Sequence, residues 1–148
     1  MSHGPPPLPR LTAHFVWPVR VYYEDTDASG VVYHGSYLHY FERARTEWLR
    51  SLGLMQQDLR DRFGVVFTVA DLEVRFRQPA RLDDDLEVVV TIPHVRHASL
   101  TFEQVLRRKG QDDVLSSAKV RVGCVDAAQF RPCPLPEEFM NAMRKWST

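Results

Sequence analysis

The sequence predicts an α+β fold in which an antiparallel sheet curls around one long helix. Two observations support this prediction. A broad apolar stripe with helical periodicity follows a single strand, and a run of strands separated by turn signals fills the second half of the chain. Because one face of such a sheet can pack on one helix, we expect five strands and one central helix.

A first strand is predicted over Val16–Glu24, where Val19, Val21 and Tyr23 alternate with neighbours on the opposite face. A segment rich in carboxylate, hydroxyl and glycine groups follows it, and we call this segment, Asp25–Gly30, the acidic loop. We expect the strand, the acidic loop and the helix that comes next to form the working part of the protein.

The long helix is predicted from apolar side chains that recur at spacings of three and four residues. Ser36 is the predicted N-cap, and Gly53 stands where a left-handed residue would end the helix. The N-terminus, near residues 34–36, would then present unpaired N–H groups with partial positive charge toward the acidic loop. The stripe consists of Tyr37, Phe41, Ala44, Trp48 and Leu52.

The remaining elements follow from alternation and turn residues. The third strand is expected to continue past Pro93 to Arg96 with a bend or bulge. Such a sheet leaves edge strands uncovered, so we expect a homo-oligomer. The predicted elements are a short helix or irregular link at Met55–Arg62, strands at Val65–Arg77, Leu86–Ile92, Leu100–Arg107 and Val114–Val125, and a terminal helix at Glu137–Trp146.

Length and composition narrow the class of protein. The 148 residues fit one domain over residues 15–148, preceded by a proline-rich and mobile leader over residues 1–14. Lys plus Arg number 19 and Asp plus Glu number 19, which argues against a general nucleic-acid or membrane-surface binder. Cys124 and Cys133 are too few for a disulfide framework, and a reduced cytosolic setting is expected.

The acidic loop has several possible interpretations. Asp25, Asp27, Ser29 and Gly30 match the opening of a calcium-binding EF-hand loop, but the twelfth position is Ser36 instead of a bidentate Glu. The aspartyl-phosphate loop of haloacid-dehalogenase phosphatases requires a doubly wound fold, and the chain has no alternating βαβ pattern. The carboxylates could also serve only as turn and capping residues. No metal site is expected.

Three features favour a chemical role for the acidic loop over capping alone. The segment carries two carboxylates and is followed by His34. The apolar residues 31–33 would draw it into the interior, where carboxylates need partners or a purpose. The segment also lies opposite a predicted helix N-terminus.

The stretch VRVYYEDTDASGVVYHGSYLHYFERAR closely resembles the 4-hydroxybenzoyl-CoA thioesterase branch of the hotdog-fold superfamily. It is most similar to the bacterial Tol–Pal-associated acyl-CoA thioesterases. The resemblance implies a hotdog fold, hydrolysis of short-chain acyl-CoA esters without a cofactor, a cytoplasmic location and a homodimer or homotetramer. Acyl carrier protein is a further partner that the resemblance suggests.

The resemblance also implies residue roles. The second Asp of the motif is the catalytic carboxylate of the family, and it corresponds to Asp27. A backbone N–H at the start of the long helix polarises the thioester carbonyl, and the matching position is His34. Ser29 departs from the family, where Gly or Ala is frequent, and is expected to tune substrate fit. The residues predicted to contact or support the substrate are Tyr33, Gly35, Tyr37, His97 and Ser99.

The chemistry required is modest because thiolate is a good leaving group. Asp27 can act as a general base on water or attack the thioester itself, and both routes remain open. The imidazole of His34 can orient the water, contact Asp27 or only pack, while Asp25 is expected to hold the loop. The candidates for binding the phosphates of CoA are Arg75, Arg77, Arg96, Arg107, Arg108 and Lys109.

Two other functions remain open at this point. The chain could be a scaffold that binds acyl carrier protein and is linked to envelope lipid synthesis, with little turnover. It could also be a hotdog dehydratase, although that chemistry uses a His with an acidic partner, whereas the Asp-Thr-Asp pattern belongs to hydrolases.

Overall fold

The computed structural model describes residues 13–147, so the first twelve residues of the predicted leader lie outside the described residues. The elements appear in the predicted order, with a short 3₁₀ turn at Tyr23–Asp25 before the long helix. They are β1 (Phe15–Arg20), α1 (His34–Ser51), α2 (Gln56–Phe63), β2 (Val65–Phe76), β3 (Asp85–Val95), β4 (Ser99–Arg108), β5 (Val114–Asp126) and α3 (Glu137–Ser147).

The strands of this part of the chain form one five-stranded antiparallel sheet in the order β1-β3-β4-β5-β2. The expected α+β architecture is therefore confirmed. The predicted irregularity in the third strand is confirmed as well, because the β3–β4 register shifts between Thr91 and His94, on either side of Pro93. The β2 strand carries a second shift, between Val69 and Asp71.

The long helix α1 buries its predicted stripe against the sheet. Tyr37, Phe41, Ala44 and Trp48 are all buried, and the ring of Trp48 packs edge-on against Phe102 of β4 at 5.3 Å between centroids. Apolar burial of this kind supplies most of the stability of such a helix.

A buried polar contact fixes the position of α1 on the sheet. The side chain of Gln104, on β4, donates to the carbonyl of Phe41 at 2.8 Å and accepts from the Arg45 guanidinium at 3.0 Å. Since a buried polar group without a partner is costly, this pairing specifies one register of helix on sheet.

The start of α1 and the end of β1 differ most from the predicted boundaries. The first strand ends at Arg20 rather than Glu24, because Asp25 closes a 3₁₀ turn by accepting from the Tyr22 N–H through its Oδ2 at 2.9 Å. The helix begins at His34 with Tyr33 as N-cap, so Ser36 lies in its first turn. The tie between the Tyr33 N–H and the Asp25 carbonyl, at 2.8 Å, fixes this earlier start.

The end of the helix follows the prediction. Gly53 adopts a φ of +84°, a left-handed conformation that costs a residue with a side chain about 1–2 kcal/mol. Among the described helices, none is both long and apolar enough to cross a membrane.

Candidate active site

The acidic loop is the tip of a small hairpin. Thr26 and Val32 form an antiparallel bridge, and the Asp27 N–H donates to the Val31 carbonyl at 2.9 Å. The turn closes through the Gly30 N–H, which donates to the Asp27 carbonyl at 3.0 Å. Gly30 takes a φ of +81°, which glycine adopts without steric cost.

The expectation that the whole acidic loop is drawn into the interior is wrong. Only Asp25 is buried, while residues 27–30 are exposed. The hairpin explains the difference, since Val32 anchors its base in the core and its tip extends outward. Asp25 holds the base of the loop as predicted, and Asp27 stands at the tip with access to water.

The start of α1 supplies the second half of the site. The backbone N–H groups of His34 and Gly35 have no acceptor within residues 13–147, as expected for the first turn of a helix. The ring of Tyr33 packs against the His34 ring in a tilted arrangement, with 4.1 Å between centroids and 41° between the ring planes. A Cβ at position 35 would lie 2.7 Å from the Tyr33 ring, so Gly35 lets this ring cover the helix start.

A cleft of about 340 Å³ brings part of the predicted site together. Asp27, His34 and Tyr37 all line it, whereas Tyr33 and Gly35 lie beside it at the start of α1 without lining it. Tyr37 also supports one wall, because its hydroxyl accepts from the Ala80 N–H at 3.0 Å. The other lining residues are Val32, Phe76, Arg77, Gln78 and Pro79.

The Asp27 carboxylate is prepared to carry negative charge. Its Oδ1 accepts from the Ser29 hydroxyl at 2.5 Å and from the Ser29 N–H at 2.9 Å. These hydrogen bonds favour the charged form and lower the pKa of Asp27 below its ordinary value of 3.8. The carboxylate is therefore ionised at neutral pH, as both possible catalytic roles require.

A second, buried group lies below the acidic loop. Tyr40 is completely buried, and its hydroxyl faces the Asp25 carboxylate without reaching hydrogen-bond geometry to any described residue. Burial, together with the nearby charge of Asp25, raises the pKa of Tyr40. This hydroxyl stays neutral and has no access to the cleft, so its contribution is to the packing beneath the loop.

Among the predicted phosphate-binding residues, Arg77 is the one that lines the cleft. It makes no ion pair with any residue that the structure describes. Arg75 pairs with Glu73, Arg107 with Glu87 at 2.8 Å and Arg108 with Asp84 at 3.1 Å. Arg77 is thus the candidate whose charge is available to a ligand in the cleft.

His97 and Ser99 are not brought to the cleft within one chain. The His97 carbonyl accepts from the Leu135 N–H at 2.9 Å, and Ser99 pairs with Gly123 on β5. The first contact ties the β3–β4 turn to the segment that leads into α3, and the second joins the start of β4 to β5. The role of both residues in substrate binding stays a prediction.

The residues that the sequence did not indicate come from the end of β2 and the segment after it. Phe76 packs edge-on against Tyr37 at 5.2 Å between ring centroids, and Gln78 and Pro79 continue along the same wall. No local signal pairs the end of β2 with the acidic loop, since the Val31–Arg81 bridge that joins them forms across 50 residues.

Comparison with known proteins gives consistent results. The family model described as the thioesterase-like superfamily matches residues 21–143. The acyl-CoA thioesterase YbgC of Haemophilus influenzae is 48% identical over 128 residues, covering 86% of this chain and 93% of that relative. The acyl-CoA thioester hydrolase YbgC of Escherichia coli O6:H1 is 46% identical over 134 residues, which cover 90% of this chain and 98% of that relative.

Solved structures agree with this assignment. The crystal structure of a probable thioesterase from Bartonella henselae has a TM-score of 0.77 and 34% identity, and the match covers 84% of this chain and all of that one (100%). The family match begins just after β1 and covers the acidic loop, α1, α2, strands β2 to β5 and the first part of α3. The chain therefore belongs to the thioesterase-like superfamily, and this membership confirms both the predicted hotdog fold and the predicted class of thioester hydrolase.

Proposed function

We propose that this protein hydrolyses short-chain acyl-CoA thioesters to the free acid and CoA, with Asp27 as the reacting carboxylate. The observation that carries the proposal is the cleft that Asp27 and His34 share, at the start of α1. A carboxylate and a helix N-terminus that border one cleft support the proposal, because thioester hydrolysis needs an attacking or base group and an oxyanion donor.

Two routes use Asp27. As a general base, the carboxylate takes a proton from water while the water oxygen attacks the carbonyl carbon, and the C–S bond breaks to release thiolate; base catalysis contributes about 10²–10⁴-fold. As a nucleophile, it attacks the carbonyl itself, releases thiolate and leaves a mixed anhydride that water opens. The exposure of Asp27 gives water access in either route.

The free amides at His34 and Gly35 are the proposed oxyanion site. Charge develops on the carbonyl oxygen in both routes, and donors fixed by the helix need no reorganisation to meet it. One such donor is worth about 10²–10³-fold in rate. The imidazole of His34 borders the cleft and packs against the ring of Tyr33, so its proposed contribution is to shape the entrance.

The walls of the cleft support a small acyl group. Val32, Tyr37, Phe76 and Pro79 provide apolar surface, and a volume of about 340 Å³ is near the lower end, roughly 300 Å³, of ligand pockets. Arg77 at the same cleft would meet the anionic part of CoA. His97 and Ser99 are kept as proposed contacts to the pantetheine arm.

The proposal includes a homodimer or homotetramer. β1 is an edge strand of six residues that contains Pro18, while β2, at the other edge, runs for twelve residues without proline. A long unprotected edge favours pairing with another chain. Val69, Leu72 and Phe76 on β2 are each about half exposed, and a second copy would cover them.

The proposed location of the protein is the cytoplasm. Resemblance to the Tol–Pal-associated thioesterases supports a single catalytic domain over residues 15–148 that works in the cytoplasm. The sulfur atoms of Cys124 and Cys133 lie 3.7 Å apart and unbridged, which fits a reducing compartment. Acyl carrier protein presents the same phosphopantetheine arm as CoA and is the proposed second thioester donor.

The test is thiol release from propionyl-, butyryl-, hexanoyl-, palmitoyl- and benzoyl-CoA by the wild type, Asp27→Asn and Asp112→Asn. Asp112 is an exposed carboxylate in the β4–β5 turn and provides a matched control. We expect Asp27→Asn to lose at least about 10²-fold in kcat on the best substrate, because the base or nucleophile is gone. Asp112→Asn should match the wild type.

Two other results would contradict the role of Asp27 or the hydrolase function. Full activity in Asp27→Asn would mean that Asp27 is not the reacting group. No turnover of any ester by the wild type, together with capture of acyl carrier protein, would favour the scaffold function.

A further inference from the structure

The carboxylate of Asp27 is held unevenly. In the described part of the chain, both hydrogen bonds to this side chain fall on Oδ1, one from the Ser29 N–H at 2.9 Å and one from the Ser29 hydroxyl at 2.5 Å. Oδ2 is left as the less engaged oxygen of a side chain that lines the cleft.

The hydroxyl bond is separable from the fold of the acidic loop. A contact from an Asp side chain to the backbone N–H two residues later is an ordinary turn interaction that any residue at position 29 can make. The Gly30 N–H closes the same turn on the Asp27 carbonyl at 3.0 Å. Alanine at position 29 would keep both of these bonds and remove only the hydroxyl.

We propose that Ser29 is a positioning residue that holds Oδ1 of Asp27 and thereby presents Oδ2 for proton abstraction or for attack on the thioester. This inference rests on the proposed function and deepens it. The terminal torsion of an aspartate is broad, so an exposed carboxylate rotates freely unless donors hold it. A carboxylate fixed on one oxygen loses less freedom when it reaches its reactive geometry.

The same hydroxyl sets the pH range of activity. It is the largest cause of the lowered pKa of Asp27, and its removal should raise that pKa. The other titratable groups lining the cleft are His34 and Tyr37 of α1 and Arg77 after β2, and Ser29→Ala leaves all three in place. Since only the ionised carboxylate reacts, activity should then be lost at a higher pH as the solution is acidified.

The test is the pH profile of kcat/KM for wild type, Ser29→Ala, Ser29→Thr and Thr26→Val. The Thr26 hydroxyl donates to the Tyr23 carbonyl at 2.7 Å in the adjoining turn, so it is a matched control whose hydrogen bond does not involve the Asp27 carboxylate. Hydrolysis is followed by loss of thioester ultraviolet absorbance, using butyryl-CoA or the panel ester that turns over fastest.

We expect Ser29→Ala to move the acid limb to higher pH and to lower kcat about 3- to 10-fold, with KM within about twofold. Ser29→Thr should restore the limb because it keeps a hydroxyl, and Thr26→Val should match the wild type. A thermal unfolding scan of each variant verifies that it folds.

Two results would overturn this role for Ser29: acid limbs of the wild type and Ser29→Ala that coincide, or an equal shift in Thr26→Val. Asp27→Asn, assayed alongside, separates this failure from a failure of the proposed function. If Asp27→Asn is inactive while the Ser29→Ala limb is unchanged, only the Ser29 role is wrong. If Asp27→Asn is fully active, the role of Asp27 is wrong and the Ser29 role fails with it.

Discussion

Two carboxylates that are two residues apart have different environments. Asp25 is buried, and its side chain accepts a hydrogen bond from the Tyr22 N–H at the base of the acidic loop. Asp27 is exposed at the tip and lines the cleft. Hairpin geometry separates the two side chains, so that one carboxylate stabilises the loop while the other is available for chemistry.

At the residue scale, Arg77 provides a direct test of substrate binding. We expect Arg77→Ala to raise KM for acyl-CoA about 5- to 20-fold with little change in kcat, because an ion pair with CoA acts in the ground state and transition state alike. Steady-state kinetics on a single acyl-CoA ester would measure this effect, and added salt should reduce the difference between wild type and variant.

The matched control is Arg75→Ala. Arg75 lies two residues earlier, on β2, but its guanidinium is 3.3 Å from the Glu73 carboxylate and it does not line the cleft. An equal rise of KM in both variants would indicate a general loss of positive charge rather than a specific contact, and it would contradict the role proposed for Arg77.

At the element scale, the two ends of α1 have different surroundings. The C-terminal half is anchored by aromatic rings, since Trp48 packs edge-on against Phe102 at 5.3 Å, Phe139 at 6.1 Å and Trp146 at 5.7 Å between centroids. The N-terminal end, at His34, borders the cleft with unpaired N–H groups. Anchoring one end of a rigid helix fixes the other end, so the core determines where the proposed oxyanion site lies.

The contribution of α3 to this anchor can be measured. Phe139 is completely buried and contacts Trp48 and Phe67, with ring centroids at 6.1 and 5.2 Å. We expect Phe139→Ala to lower the free energy of unfolding by about 3–5 kcal/mol through lost burial and a cavity. Urea unfolding at a fixed chain concentration would provide the value.

Asn141→Ala, on the exposed side of α3, is the control and should change stability by less than about 0.5 kcal/mol. Similar values for the two variants would show that α3 is not part of the core that holds α1.

At the scale of the whole molecule, the sheet has two unlike edges. β1 is short and interrupted by Pro18, which lacks the N–H that a ladder requires. β2 is long, and its apolar side chains are left half exposed by a single chain. Phe76 on this edge also lines the cleft, so a partner that covers β2 would lie next to the proposed site.

Assembly through β2 makes a prediction about Leu72. We expect Leu72→Lys to weaken self-association at least about tenfold, because a charge on the covered edge must lose its water. Sedimentation velocity over a range of concentrations would show the wild type as a dimer or tetramer and the variant shifted toward monomer.

Leu82→Lys makes the same change at a similarly exposed leucine in the β2–β3 connection, away from the edge. It should assemble as the wild type does. A monomeric wild type, or a Leu72→Lys protein that assembles normally, would contradict the role of this edge.

Several parts of the fold and the site were predictable because their signals are local. The stripe on α1 and the left-handed Gly53 follow from side-chain period and backbone sterics. The acidic loop was found through its residue types, and its resemblance to a family identified Asp27. Each of these features lies within a few neighbouring residues.

The features that only the tertiary structure decided depend on contacts between segments that are distant in the sequence. Phe76 and Arg77 approach the acidic loop because β2 ends beside the start of α1. The exposure of Asp27 and the burial of Asp25 depend on the hairpin that Val32 anchors in the core. The sequence by itself determined the elements, the family motif and the reacting carboxylate it implies. The walls of the cleft, the position of Arg77 in it and the uncovered β2 edge were decided by how the elements pack. Packing depends on the whole chain, and no local pattern encodes it.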